Sequence, residues 1–316
     1  MKRANNKSIM GRLMLLTATI IWGSSFFILK RTIEEIPVFT LLLIRFSISF
    51  VLLLIIFAPK LKKVNVGVVA KGIIAGVPLA IAYVLQTIAI KYTTASNNAF
   101  LTATYCVMIP FLLWAIYKKR PSIYNFIAAI LCIIGIGLAT LQNGFEFNFM
   151  GDGLTLIAAL FFALNIILID RYIKDGTVDV IMFTAFQFIP IIIASLMGFL
   201  IQEQGQMIIT REGVGGLVYL ILCATIIALT FMSYGIKNTS AFLSGLIMSL
   251  EAVFGVVFAV IFSKEKLHWL TYISFVVIFI SMLISEVSPH VINSIKAKKE
   301  KESNPSETND LNLETD

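Results

Sequence analysis

Charge is scarce in this chain, and so are histidine and cysteine. Asp, Glu, Lys and Arg together make up 14% of the 316 residues, whereas hydrophobic residues make up 58% and the mean hydropathy is +0.91. A soluble domain of this length needs more polar surface than that. There are two histidines, His268 and His290. No metal-binding His/Glu motif, no paired aspartates and no nucleophile elbow accompany them, which counts against an intramembrane enzyme. No Walker loop occurs, so direct ATP drive within the chain is not expected. Cys106, Cys132 and Cys223 sit inside apolar runs at unrelated spacings. That excludes a disulfide framework and a cysteine metal cluster, and it points to buried, apolar-like thiols. Nothing in the pattern asks for a cofactor or a metal.

What the chain has in abundance is long apolar stretches. A run of about 20 apolar residues crosses a bilayer core of about 30 Å as a helix. Ten such segments can be drawn, at 13–29, 37–58, 68–90, 96–117, 122–141, 151–169, 179–201, 214–236, 240–262 and 267–285. The segments are continuous, without two-residue alternation, so helices are expected and a barrel is not. Pro59, Pro121, Gly144 and Gly176 fall between segments and mark turns. Pro78, Pro110 and Pro190 fall inside them, where kinks are expected. The basic start and first apolar run mimic a signal peptide, but the run continues to Leu29 and more spans follow, so an uncleaved first helix is the better reading.

The basic residues give an orientation. With both termini on the cytoplasmic side of the cell membrane, eighteen Lys and Arg fall inside and six outside, Arg45 lying within a span. That bias follows the positive-inside rule and explains the net charge of +7. No basic groove interleaved with aromatics suggests nucleic acid. The partners implied are the lipid bilayer and a small-molecule substrate, and a homodimer is compatible with the pattern. Residues 296–316 are polar and charged, and a disordered cytoplasmic tail is expected from 287.

The chain also repeats itself. At a shift of 146, "IKYTTA" (90–95) lies over "IKNTSA" (236–241), and at a shift of 140, "WGSSFFILKR" (22–31) lies over "FALNIILIDR" (162–171). Each half then holds five spans. An odd number inserts the halves with opposite orientation, the arrangement of secondary carriers with a midplane site. The expected architecture is all-α and integral to the membrane: ten helices as two inverted five-helix repeats, 13–141 and 150–286, with a short cytoplasmic arm at 1–12.

At this point the sequence resembles the EamA-type carriers of the drug/metabolite transporter superfamily. "LLTATIIWGSSFFILKR" is similar to their first helix, and "LLLIRFSISFVLLL" to their second. "AIKYTTASNNAFLTATYCVMIPFLLWAIYKKRPS" (89–122) resembles helices 3 to 5 of the first repeat, and "TSAFLSGLIMSLEAVFGVVFAVIFSKEKL" (239–267) resembles helix 9 with the Glu265 that follows it. The likeness covers about residues 12–286. Lys119 departs from it, where many relatives carry an acid, and so does Ala252, where many carry proline. The resemblance implies ten helices in two repeats and export of small metabolites or drugs, with no substrate named.

Two charges fall within spans. Arg45 is about 12 Å deep from the outer side, and Glu251 about 17 Å up from the inner side, which brings them to one level. Each is costly in lipid and is expected to face the bundle interior, where the other is a plausible counter-ion. Three readings stay open. The pair sets helix register, Glu251 couples a proton to solute movement, or the two hold the ends of a zwitterion such as an amino acid. Trp22 lies mid-span beside Gly23, Ser24 and Ser25, and an indole face suits packing or a stacked ligand. Tyr83 and Gln86 share a helix face. Asn98 and Tyr105 follow in helix 4, Asn165 in helix 6, Gln187 in helix 7 and Tyr234 in helix 8. Together they suit a polar substrate cavity better than a lipid-facing surface. Asn97 and Asn98 are alternatively caps of helix 4. Gly72 and Gly76 form a GxxxG packing signal. The function expected is a secondary transporter working by alternating access. Export is the expected direction, uptake by the same fold is the first alternative, and an enzyme or sensor ranks below both.

Overall fold

Asparagine, threonine and aspartate stand just ahead of several apolar runs, and these residues start the helices. The computed structural model describes residues 2–141, 148–174, 176–203, 210–239 and 241–285. Gly144, His290 and the tail expected from 287 lie outside them. The described secondary structure is helical throughout. In chain order it consists of α1 (Lys2–Glu35), α2 (Val38–Ile56), α3 (Val66–Ala89), α4 (Ala95–Tyr117), α5 (Ile123–Leu141), α6 (Phe149–Lys174), α7 (Val180–Gln202), α8 (Arg211–Asn238), α9 (Ala241–Phe262) and α10 (Trp269–Ser285). Asn65, Thr94, Asp179 and Thr210 cap α3, α4, α7 and α8, each accepting from a backbone N–H of the first turn. The cap of α4 is therefore Thr94, which accepts from Asn97 N at 3.1 Å, and not either asparagine.

Among the described residues, α1, α2, α3, α4, α6, α7 and α8 are long and apolar enough to cross a bilayer, while shorter apolar helical stretches lie at Ile123–Leu138 in α5, Ile247–Phe262 in α9 and Trp269–Ser285 in α10. The exterior is apolar and the interior carries the charge. Ile133 is 69% exposed and Ile201 73%, against 2% for Arg45 and 6% for Glu251. Such an inversion fits a hydrocarbon surround, where exposed isoleucine is at no disadvantage and a charge must turn inward. This is a multi-pass membrane protein.

Helix association in lipid relies on close packing, so small residues mark the tightest crossings. α1 packs on α8 and α9, α6 packs on α3 and α4, α2 packs on α7, and α4 packs on α9. Gly72 and Gly76 let α3 lie directly on α7: a Cβ on Gly72 would stand 2.6 Å from the Phe186 Cβ, and one on Gly76 would stand 2.8 Å from the Gln187 Cα.

The helix ends gather on two opposite faces. On the face where α1 ends, carboxylates at or beyond the ends of some helices cap the starts of others. Phe39 and Thr40 N–H donate to Glu203 at 3.0 and 2.7 Å, Ala95 N–H donates to Glu265 at 3.0 Å, and Thr210 N–H donates to Glu35 at 3.1 Å. Each anion sits at the positive end of a helix dipole. Lys30 Nζ donates to the carbonyls of Ile90 and Thr93 at 2.6 and 2.9 Å, and Arg31 donates to Phe262 O at 2.7 Å. These contacts explain why α1 runs on to Glu35, past the Leu29 at which its apolar run stops. The charges beyond Leu29 are satisfied by neighbouring helix ends.

On the opposite face Lys60 meets Asp179 at 2.9 Å, with the two side chains 30% and 25% exposed. Burial lowers the Lys60 pKa, but the hydrogen bond and charge of Asp179 outweigh it and hold the ammonium above its ordinary value. A raised pKa contributes stability below the ordinary lysine value and loses it only as pH climbs beyond. Asp179 also caps α7, accepting from Ile181 N and Met182 N at 3.0 and 3.2 Å. Asp179→Ala should therefore cost about 1 kcal/mol through the lost cap, and Lys60→Met only about 0.5 kcal/mol because the pair is part-exposed. Thermal unfolding of the purified variants checks this ranking, which should hold unchanged from about pH 6 to 9.

Candidate functional site

Between the helices lies a cavity walled by α1, α2, α3, α4, α6, α8 and α9. Proline and π-helical geometry disturb the helices around it. α3 carries Pro78, α4 breaks at Thr104 ahead of Pro110, α7 turns irregular at Gln187 ahead of Pro190, and α8 is π-helical over Leu220–Ile227. The expected disturbances at Pro110 and Pro190 thus fall three to six residues upstream of the ring, whereas α3 continues through Pro78. A proline lacks the N–H that the carbonyl one turn earlier would use. Irregular backbone at membrane depth is tolerated where it lines a cavity or finds side-chain partners.

Both happen here. Asn165 Nδ2 donates to Ala75 O at 2.8 Å, in the turn before Pro78, and to Gln187 Oε1 at 2.9 Å. Trp22 Nε1 donates to Ala224 O at 3.0 Å, in the π-helical stretch of α8. One side chain from α6 thus braces α3 in the turn before Pro78, and one from α1 braces the π-helical turn of α8.

The cavity has two charged poles. Arg45, on α2, donates from Nε to Thr225 Oγ1 at 2.6 Å, and its guanidinium carbon lies 5.2 Å and 5.1 Å from the ring centres of Phe46 and Tyr83. Glu251, on α9, is approached by the Tyr105 hydroxyl, 3.4 Å from Oε2 and 3.4 Å from Met248 O. Arg45 and Glu251 line the same cavity. Among the described residues, no ion pair joins them, because α8 and the rings hold Arg45 on one side while Tyr105 of α4 meets Glu251 on the other. The counter-ion expected for Glu251 is thus not in contact with it.

Of the residues singled out in the sequence, Trp22, Arg45, Tyr83, Gln86, Tyr105, Asn165 and Glu251 line this cavity. Gln86 Nε2 donates to Thr102 Oγ1 at 2.9 Å, which fixes its amide on the wall. Three others lie elsewhere. Asn98 is a turn nearer the start of α4, where it donates to Thr155 on α6 at 2.8 Å. Gln187 stands behind Asn165 on α7. Tyr234 is two residues past the cavity-lining Met232, which rotates it about 200° around α8. The structure adds Thr102, Phe162, Met232 and Met248 to the wall. Thr102 and Phe162 lie three residues before Tyr105 and Asn165, so helical spacing from those residues points to them. Met248, three residues before Glu251, is reached in the same way, whereas Met232 carries no such signal. All three cysteines are free thiols, and among the described residues no group of three His, Cys, Asp or Glu converges as a metal site.

The model of the EamA-like transporter family matches residues 9–141 and again 149–286. The chain belongs to this family. An EamA-like chain should have relatives of full length, and it does. A protein of Archaeoglobus fulgidus, described as an uncharacterized transporter, is 28% identical over 283 residues, covering 88% of this chain and 86% of the other. The uncharacterized transporter YetK of Bacillus subtilis is 24% identical over 312 residues, covering 93% and 92%. A solved structure described only as "Crystal structure of protein" superposes with a TM-score of 0.65 at 16% identity, covering 89% of this chain and 98% of the other. That likeness is one of fold.

Proposed function

We propose that this EamA-like transporter is a secondary carrier of small zwitterionic metabolites, amino acids among them, and works by alternating access. One observation carries the reading: two buried, opposite charges face one cavity without pairing to each other. In a hydrocarbon surround that arrangement is costly unless a ligand brings the complementary charges. Arg45 takes the solute carboxylate and Glu251 its ammonium, while Trp22, Phe162 and Tyr83 form an aromatic wall for the remainder.

Ten membrane-crossing helices in two inverted repeats, 13–141 and 150–286, underlie the mechanism. The packing supports this, because moving every helix five places along the chain, cyclically, turns the α1 contacts with α8 and α9 into the α6 contacts with α3 and α4. The charge bias places both termini on the cytoplasmic side of the cell membrane. Export is the direction the family resemblance suggests, and gradients set it in practice.

The test is a ligand panel on purified protein. Leucine should raise the unfolding midpoint, while leucinamide, which lacks the carboxylate, and 4-methylpentanoate, which lacks the ammonium, should raise it far less. Saturation at 100 times Kd corresponds to about 2.7 kcal/mol of stabilisation. Proteoliposomes then check whether the stabilising solute exchanges across the bilayer. Equal shifts from leucine and leucinamide would count against the two poles, and no flux of any stabilising solute would count against a carrier.

A further inference from the structure

The π-helical stretch of α8 touches the cavity only through side chains of other helices, and those contacts follow a pattern. Trp22 of α1 donates to Ala224 O at 3.0 Å, Arg45 of α2 donates to Thr225 Oγ1 at 2.6 Å, and Ser49 of α2 donates to Ile221 O at 3.3 Å. π-Helical turns change the hydrogen-bond register of the backbone and are frequent at functional sites. Here consecutive residues, Ala224 and Thr225, accept from two side chains that line the cavity.

Thr225 has a special constraint. Its hydroxyl is fully buried and donates to Leu220 O at 2.8 Å, five residues back. In an α-helix a threonine hydroxyl reaches back three or four residues. The five-residue reach follows from the π register. A hydroxyl has one proton, and with that proton committed to Leu220 the oxygen can only accept from Arg45. The partner it selects is a donor, which a guanidinium is. The bond takes Nε–H and leaves the terminal nitrogens for other partners, with the guanidinium carbon 5.2 and 5.1 Å from the centres of the Phe46 and Tyr83 rings, which touch edge to face.

We propose that Thr225, set by the π-helical turn of α8, is the positioning residue that aims Arg45 at the carboxylate of the transported solute. The inference rests on the carrier reading for the identity of the solute, but the positioning itself does not. In this arrangement α8 sets the direction of a binding group on α2, so a shift of α8 register during transport would move the carboxylate site with it.

Two variants and one spectroscopic probe test this. Thr225→Val keeps the shape and removes the hydroxyl, and Thr225→Ser keeps the hydroxyl. In protein labelled with 15N-arginine, the Nε–H resonance of Arg45, assigned by Arg45→Lys, should be resolved and slow to exchange with solvent in the wild type and in Thr225→Ser. It should shift and lose protection in Thr225→Val. Leucine binding should weaken about tenfold in Thr225→Val, the scale of one hydrogen bond to a charged group, with leucinamide binding unchanged, and Thr225→Ser should restore it. An Arg45 Nε–H that exchanges as fast as those of surface arginines in the wild type overturns the proposal without any variant having to fold. So does a Thr225→Val protein whose Nε–H resonance matches the wild type. A shifted resonance in a protein that binds no amino acid at all upholds the positioning and refutes the zwitterion reading instead.

Discussion

Proteoliposomes carrying Glu251→Gln should show no solute flux in response to an imposed pH gradient, a fall of at least about tenfold to the level of empty vesicles. Glu251 is 6% exposed, and its one described hydrogen-bonding neighbour is the Tyr105 hydroxyl at a long 3.4 Å. A carboxylate so enclosed needs a neutralising partner. On the zwitterion proposal a proton and the solute ammonium would each supply it, and they would compete for the same two oxygens. That competition is the physical content of proton coupling at one site. Glutamine keeps the shape and can still accept from Tyr105, but it binds neither a proton nor an ammonium strongly. Leucine binding should weaken together with the coupling. Flux measured against an acid-inside or acid-outside gradient, with solute exchange at equal pH as the control, decides the matter. Undiminished pH-driven flux in the variant would remove Glu251 from the coupling mechanism and leave it a structural acid.

The second large effect is on assembly. Gly76→Leu should destabilise the protein by about 3 kcal/mol, the upper end of overpacking costs. The Cβ of any larger residue there meets the carbonyl oxygen of Gln187, with the Gln187 Cα at 2.8 Å and its carbonyl carbon at 2.9 Å. Those are backbone atoms, so no side-chain rotation relieves the clash and α3 must move off α7. Tyr83 and Gln86 ride on α3, so the cavity wall moves too. Gly137 in α5 is the control. A Cβ there meets nothing within 4 Å, and Gly137→Ala should gain up to about 1 kcal/mol from helix propensity. Unfolding midpoints of the two variants should therefore move in opposite directions. A stable Gly76→Leu protein would mean that the α3–α7 crossing is looser than the structure describes.

The GxxxG at Gly72 and Gly76 was visible in the sequence as a packing motif, but its partner helix was not. Nothing in the local pattern of α3 points to Phe186 or Gln187, more than a hundred residues away. The same limit applies to the cavity. Trp22, Arg45, Tyr83, Gln86, Tyr105, Asn165 and Glu251 stood out as polar or aromatic groups inside apolar runs, and each turned out to face the same space. Asn98, Gln187 and Tyr234 stood out by the same criterion and do not line it. A polar residue in lipid must find a partner, yet a cavity and a neighbouring helix satisfy that need equally well. Asn98 found Thr155, and Gln187 found Asn165. Helix ends were misplaced for a related reason. α1 outlasts its apolar run because Lys30, Arg31 and Glu35 are bound by the ends of α3, α9 and α8.

Composition and the length of the apolar runs by themselves determined an all-helical, multi-pass membrane chain, because a bilayer core accepts few other backbone arrangements. The residues quoted for the family resemblance carried the kinship. Which helices touch was decided only by the tertiary structure, and with it that Arg45 answers to Thr225 rather than to Glu251, and that the π-helical turn of α8 is braced from α1. Depth in the membrane can be counted along a chain at 1.5 Å per residue. The direction a side chain points toward another helix depends on the rotation and crossing of both, and packing between distant segments sets that.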